Sequence, residues 1–88
     1  MEIKAGDILF LDTNILLTAT DTSRSHHKIA IDIFSKSLET GFHLCISDQV
    51  IREYLFVATR ALEANGLGLK LNDALSNIEE FKTRTVFL

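Results

Sequence analysis

The feature that most constrains the fold is a short apolar run that ends abruptly in polar residues. Residues 8–11 read Ile-Leu-Phe-Leu and are followed at once by Asp12, Thr13 and Asn14, after which apolar residues resume. A short continuous apolar run is typical of a strand buried on both faces of a parallel sheet. We therefore predict a strand over residues 8–11, with Asp12 at its carboxyl end, followed by a short helix.

A carboxylate in the position of Asp12 has two possible roles. It could cap the following helix, because Asp accepts hydrogen bonds from the unpaired N–H groups of a first helical turn. It could instead hold a divalent metal, because ligands bind at the carboxyl ends of strands in open α/β sheets and carboxylate oxygen suits hard cations. This stretch alone favours capping, since many strand–helix junctions end in this way.

The rest of the chain alternates helical and strand-like patterns. We predict helices over residues 26–39, 48–64 and 72–82, and strands over residues 42–47 and 85–88. Ser23 or Ser25 is suited to cap the first of these helices and Asp48 the second. Gly41 is suited to end the first in left-handed geometry, and residues 66–69 read as a flexible connector. This alternation predicts a parallel sheet with right-handed crossovers.

Glu53 is the second carboxylate of interest. It lies at the edge of the apolar stripe of the helix predicted over residues 48–64, where a buried and unpaired carboxylate would be costly. The side chain therefore either reaches solvent or pairs with Arg52, Arg60 or another charge. Because parallel strands end at the same edge of a sheet, Asp12 and Glu53 could converge there.

Composition constrains the size of the domain, its charge and the redox environment in which it works. Eighty-eight residues, 47% hydrophobic and 24% charged, suit one small globular domain. The net charge of −3 provides no overall basic field for nucleic acid, although carboxylates can meet phosphate through bound Mg²⁺. The single cysteine, Cys45, cannot form an internal disulfide, which predicts a reducing, cytoplasmic location. No apolar run approaches the roughly 18 residues of a membrane span.

Two motifs resemble a known family. Residues 11–14 (Leu-Asp-Thr-Asn) after the first strand, and residues 47–53 (Ser-x-x-Val-x-x-Glu) after the second, look like the N-terminal half of a PIN domain. The resemblance extends over essentially all 88 residues. The family includes the toxins of VapBC toxin–antitoxin pairs and many single-strand-specific ribonucleases.

The resemblance implies a fold, an activity and a set of site residues. The fold would be α/β, with a three-layer parallel sheet of PIN-like type. The activity would be Mg²⁺- or Mn²⁺-dependent cleavage of single-stranded RNA, with an antitoxin protein as a partner. Asp12 and Glu53 match two acidic metal ligands of the family, and Thr13, Asn14 and Ser47 match polar positions that support the site. Carboxylates that hold a metal, which in turn activates water, suit such a reaction.

The sequence also departs from the family. The remaining acidic positions of a PIN domain follow its third strand, whereas Asp73, Glu79 and Glu80 precede that strand here. We therefore expect residues 1–88 to be a single PIN-like domain without its C-terminal part, truncated to three strands with flanking helices. As it stands it should cleave RNA weakly or not at all, while a longer chain carrying further acidic residues should cleave it.

The expected truncation has a consequence for assembly. Without the C-terminal strands of a PIN domain, the strand over residues 8–11 becomes an edge strand, and it carries no Lys, Pro or charge to protect it. We therefore expect a homo-oligomer formed through this edge, or a partner that covers it. The alternative is that residues 85–88 pair with this strand instead.

Two other function classes stay open. A haloacid-dehalogenase-type phosphatase also places Asp after its first strand, but it needs a second Asp two residues further on, where this chain has Asn14. A non-catalytic protein-interaction module would use the sheet edge or the helix faces to hold a partner. Metal titration separates the enzymes from the interaction module, and a phosphatase assay separates the two enzymes.

Overall fold

Three short parallel strands and four α-helices alternate along residues 3–87, the part of the chain that the computed structural model describes. The elements, in chain order, are β1 (Ile8–Phe10), α1 (Thr13–Thr20), α2 (His27–Thr40), β2 (His43–Ile46), α3 (Asp48–Thr59), a 3-10 turn (Leu62–Ala64), α4 (Leu71–Thr83) and β3 (Val86–Phe87). The predicted α/β class is confirmed. Leu88, the last residue of the third predicted strand, lies outside the described residues.

The sheet has the order β1-β2-β3, and both pairings are parallel. Phe10 pairs with Cys45 of the central strand, and Cys45 pairs in turn with Val86. β1 is therefore an edge strand in the described sheet, as expected, and the alternative in which β3 pairs with β1 is wrong. Because both crossovers step in the same direction, right-handed connections carry the helices to the same face of the sheet.

The core lies between that face and the helices. Side chains alternate across a strand, so Leu9, Leu44 and Ile46 point toward the helices. They meet a cluster of buried helical residues, which includes Leu16, Leu17, Phe34, Tyr54, Ala58, Ala74 and Ile78. Tyr54 is fully buried, and its hydroxyl is hydrogen-bonded with Thr20 at 2.8 Å. None of the helices in residues 3–87 combines the length and apolar character needed to cross a bilayer.

The opposite face of the sheet, here called the open face, consists of Ile8, Phe10, His43, Cys45 and Val86. Ile8 is 59% exposed and Phe10 66% exposed, so the prediction that residues 8–11 are buried on both faces is wrong. The physical reason is that residues 3–87 send both helical crossovers to the other side. In that part of the chain the architecture is a two-layer one, and the three-layer PIN-like arrangement stays a prediction.

α3 ends at Thr59, five residues earlier than the pattern predicts. The segment after it folds back: the backbone N–H of Gly66 donates to the carbonyl of Ala61 at 3.0 Å, and that of Gly68 to the carbonyl of Arg60 at 2.8 Å. A Cβ on Gly66 would overlap the Arg60 carbonyl, so only glycine allows this close approach. Residues 66–69 are thus hydrogen-bonded to the end of α3, where the sequence suggested a flexible connector.

Of the two predicted ends of α2, the C-terminal one is confirmed and the N-terminal one is wrong. Gly41 ends the helix in left-handed geometry at φ 86°, as predicted. At the start, the residue before the helix is His26, which makes no side-chain capping bond, so the predicted caps Ser23 and Ser25 are wrong. The Ser23 hydroxyl instead donates to the Asp21 carboxylate at 2.6 Å within the preceding loop.

Candidate functional site

Two strand–helix junctions stand side by side at the carboxyl edge of the sheet. Asp12 caps α1, with its Oδ1 accepting from the N–H of Ile15 at 3.0 Å. Ser47 caps α3, with its hydroxyl oxygen accepting from the N–H of Val50 at 3.2 Å. The prediction that Asp48 caps α3 is wrong by one residue, because Ser47 is the last residue in extended geometry and Asp48 is already helical.

Capping occupies only part of the Asp12 side chain. Its Oδ1 receives the Ile15 N–H, while its Oδ2 makes no hydrogen bond within residues 3–87. The side chain is exposed. An ionised carboxylate has about four acceptor positions, so the capping role and a metal-binding role are compatible.

Glu53 is joined directly to the first junction. The Thr13 hydroxyl donates to Glu53 Oε2 at 2.8 Å, and the Gln49 side-chain amide donates to Glu53 Oε1 at 3.0 Å. Glu53 is exposed to solvent, which was one of the two predicted outcomes. The alternative, a pairing with Arg52, Arg60 or another charge, is not formed within residues 3–87, where both hydrogen-bond partners of Glu53 are neutral.

These hydrogen bonds also favour the ionised form of Glu53. The Thr13 hydroxyl, followed by the Gln49 amide, lowers the pKa of Glu53 below its ordinary value, because both donors bind the ionised form. Glu53 is therefore a carboxylate at neutral pH. Each of its oxygens accepts one bond from the protein and keeps capacity for a further ligand.

Asn14 is engaged elsewhere. The Arg24 guanidinium donates to Asn14 Oδ1 at 3.1 Å and to the Thr18 hydroxyl at 3.2 Å, and it pairs with Asp21 at 3.5 Å. Hydrogen bonds from Ser23, together with the Arg24 charge, lower the pKa of Asp21. Asn14 thus ties α1 to the loop before α2, and the structure does not join it to Glu53.

Two of the site residues, Asp12 and Glu53, are the candidate ligands for a metal ion. Within residues 3–87 no three His, Cys, Asp or Glu side chains come together as a metal-binding group. Asp12 and Glu53 supply two carboxylates, which fits a Mg²⁺ ion that keeps several waters and is held by one or two carboxylates. Sequence reasoning missed Gln49, although its i, i+4 spacing from Glu53 is a recognisable helical pairing signal.

A groove of about 510 Å³ runs beside Glu53 on the outer surface of α3. Its lining residues are Thr13, Gln49, Arg52, Glu53, Phe56, Val57 and Arg60. Both polar and aromatic side chains are therefore within reach of a molecule bound next to Glu53.

Comparison with known proteins gives no relative. No family model, no curated protein and no solved structure matches this sequence.

Proposed function

We propose that this chain is a PIN-type protein of the toxin–antitoxin kind, whose acidic site serves the cleavage of single-stranded RNA with Mg²⁺ or Mn²⁺. The observation that carries the proposal is the hydrogen bond from Thr13 to Glu53. It joins the Asp-Thr-Asn element after β1 to the glutamate of α3, which are the two motifs on which the resemblance rests.

Each residue has a definable role in such a site. Asp12 and Glu53 would hold the metal, which supplies an activated water when bound. Thr13 fixes one oxygen of Glu53 and is the main cause of the lowered pKa of its carboxyl. Ser47 sets the start of α3 and thereby the direction in which Glu53 leaves the helix. Asn14 holds α1 against the following loop through Arg24.

The first test is metal binding by residues 1–88. Titration with Mn²⁺ should broaden the backbone NMR signals of residues near Asp12 and Glu53 first. Asp12→Asn should weaken this binding about tenfold or more, because the amide removes the charge that holds the ion. The substitution keeps the fold, since Asn caps helices as well as Asp does. Asp48→Asn removes a neighbouring exposed carboxylate and should leave the broadening unchanged.

The second test is cleavage. Residues 1–88 should cleave single-stranded RNA weakly or not at all, while a longer chain with further acidic residues should cleave it in Mg²⁺ or Mn²⁺. In that longer chain Asp12→Asn should abolish cleavage. Full metal-dependent activity from residues 1–88 alone would mean that the remaining ligands lie within them, and selective broadening around Asp48 instead of Asp12 would contradict the proposed site.

A second candidate function is a non-catalytic interaction module, and the open face of the sheet favours it. Ile8, Phe10 and Val86 present apolar side chains to solvent there. Within residues 3–87, β1 also pairs with β2 alone, so the backbone groups along its outer edge can template pairing with another chain. Residues 1–88 should form a homo-oligomer through this strand under both candidates, because β1 is an edge strand of the described sheet in either case.

A further inference from the structure

One side of α3 carries an aromatic ring between two cations. Arg52, Phe56 and Arg60 follow one another at intervals of four residues, which brings them into a single row along the helix and its end. Phe56 is 65% exposed, and the guanidinium carbon of Arg60 lies 4.7 Å from the centre of its ring. Glu53 lies on the neighbouring row, so the cation–aromatic row and this carboxylate of the candidate site line one groove.

Both arginines are available to an anion. Arg60 forms no ion pair within the described part of the chain, and its guanidinium lies over the Phe56 ring. Arg52 pairs with Asp48 at 3.1 Å, but both side chains are largely exposed. An exposed pair of this kind contributes little free energy, so a phosphate can replace the carboxylate at small cost.

The end of the row is held in place by the backbone. The N–H of Gly68 donates to the carbonyl of Arg60, and Gly66 packs so closely on that carbonyl that no larger residue fits. Arg60 therefore stands on a fixed backbone although it lies beyond the last residue of α3. This arrangement limits the ordering that a ligand would have to impose on binding.

We propose that the row Arg52–Phe56–Arg60 binds a segment of single-stranded RNA, with a base stacked on Phe56 and phosphates held by the two arginines. The proposal rests on the proposed function and names the surface that would lead the strand to the acidic site. Aromatic stacking together with cationic side chains is the general way in which proteins hold single strands without reading their sequence.

The chemistry of the row favours RNA over a protein partner. Two cations, Arg52 and Arg60, flank the exposed ring, and Glu53 is the carboxylate in the same groove lining. Phe56 and Val57 are the apolar members of the groove lining, which is a small apolar surface for an interface between proteins. An exposed ring with a guanidinium over it suits a stacked base and its phosphate.

Fluorescence anisotropy with a labelled single-stranded RNA oligonucleotide, in EDTA and at low salt, tests the proposal on the whole 88-residue chain. Phe56→Leu keeps an apolar side chain but removes the ring, and should weaken binding about 5- to 150-fold, the range of one base stack. Arg60→Gln should weaken binding and make the slope of log affinity against log salt shallower by about 0.7, because one phosphate is no longer neutralised. A duplex RNA of the same length should bind less well, because its bases are already stacked.

Matched controls come from elsewhere in the molecule. Phe10→Leu removes an equally exposed ring from the open face, and Arg84→Gln breaks the exposed i, i+4 pair with Glu80; both should bind RNA like the parent protein. Equal affinities for Phe56→Leu and Phe10→Leu would overturn the proposal, as would absence of RNA binding by the parent protein. Because the binding assay contains no metal, it is independent of cleavage. RNA binding by residues 1–88, together with absence of metal-dependent cleavage by the longer chain, would refute the proposed function and leave this surface intact.

Discussion

The carboxyl edge of the sheet and its open face differ in whether their side chains have partners within residues 3–87. At the edge, Asp12 and Ser47 each receive a backbone N–H, and Glu53 receives two side-chain donors. On the open face, Ile8 and Phe10 expose apolar surface that no element of residues 3–87 covers. Hydrogen bonds within the chain hold the side chains of the edge in place. The apolar side chains of the open face, in contrast, would be covered only by a further molecule or segment.

The resemblance to PIN domains predicts both a metal site at the edge and association through β1, and this difference allows the two predictions to be tested separately. The chemistry of the edge depends on hydrogen bonds between neighbouring junctions and should persist when the open face is altered. Assembly depends on the face and on β1, and should persist when the edge is altered. Substitutions that act on one region and spare the other therefore test the comparison directly.

The largest effect should be on assembly. We expect the parent protein to exceed the monomer mass in light scattering at tens of micromolar, and Phe10→Glu to convert it to monomer, because a charge on an edge strand opposes pairing. Leu38→Glu is the matched control: Leu38 is 76% exposed on α2, and its replacement should leave the mass unchanged. A parent protein that is monomeric under these conditions would refute association through this face.

The next effect concerns the cap at the edge. Asp12→Ala should lower the free energy of unfolding by about 1 kcal/mol, because the N–H of Ile15 loses its acceptor. For a domain of this size the melting temperature should fall by about 4–8 °C. Asp12→Asn should cost only a few tenths of a kcal/mol, since the amide oxygen still caps. Equal losses in the two variants by thermal denaturation would show that the charge, and not the hydrogen bond, stabilises α1.

The smallest effect should be on the titration of Glu53. Thr13→Val should raise the pKa of Glu53 toward its ordinary value, because the largest cause of its lowering is the Thr13 hydroxyl. Thr13→Ser keeps the hydroxyl and should keep the pKa low. NMR titration of the Glu53 side-chain carboxyl carbon measures both, and identical curves for Val and Ser at position 13 would contradict the assignment.

The sign of the accompanying pH effect follows from the direction of the shift. A pKa lowered in the folded state adds stability above the unfolded value, and that stability is lost as the pH falls through the folded pKa. The difference in unfolding free energy between the parent protein and Thr13→Val should therefore be present above pH 4.5 and shrink below it. Denaturation with urea at several pH values would measure it.

The sequence predicts the order of elements well because periodicity is a local property. The strand before Asp12 and the left-handed residue Gly41 both follow from patterns a few residues long. The end of α3 does not, because the apolar stripe continues past Thr59 and the helix stops only where Gly66 folds back on it. The exposure of Phe10 likewise depends on which face the crossovers take, a property of the whole fold.

In the candidate site too, features set by local sequence could be predicted and features set by the whole fold could not. The capping role of Asp12 is a local signal and is confirmed. The partners of Glu53 depend on two junctions meeting across the sheet, so the bond from Thr13 could not be inferred from spacing in the sequence. The bond from Gln49 could have been inferred, since the two residues are four apart on the same helix and so face each other on successive turns.

The three consecutive residues Phe10, Leu11 and Asp12 occupy three different surroundings: the open face, the core and the helix cap. Because side chains alternate between the two faces of a strand, a shift by one residue would move each of these side chains into the wrong surroundings. Removing one residue within β1 would drive Phe10 toward the core or draw Asp12 off the helix. Length in this stretch is therefore as constrained as side-chain identity, and substitutions there should be tolerated far better than insertions or deletions.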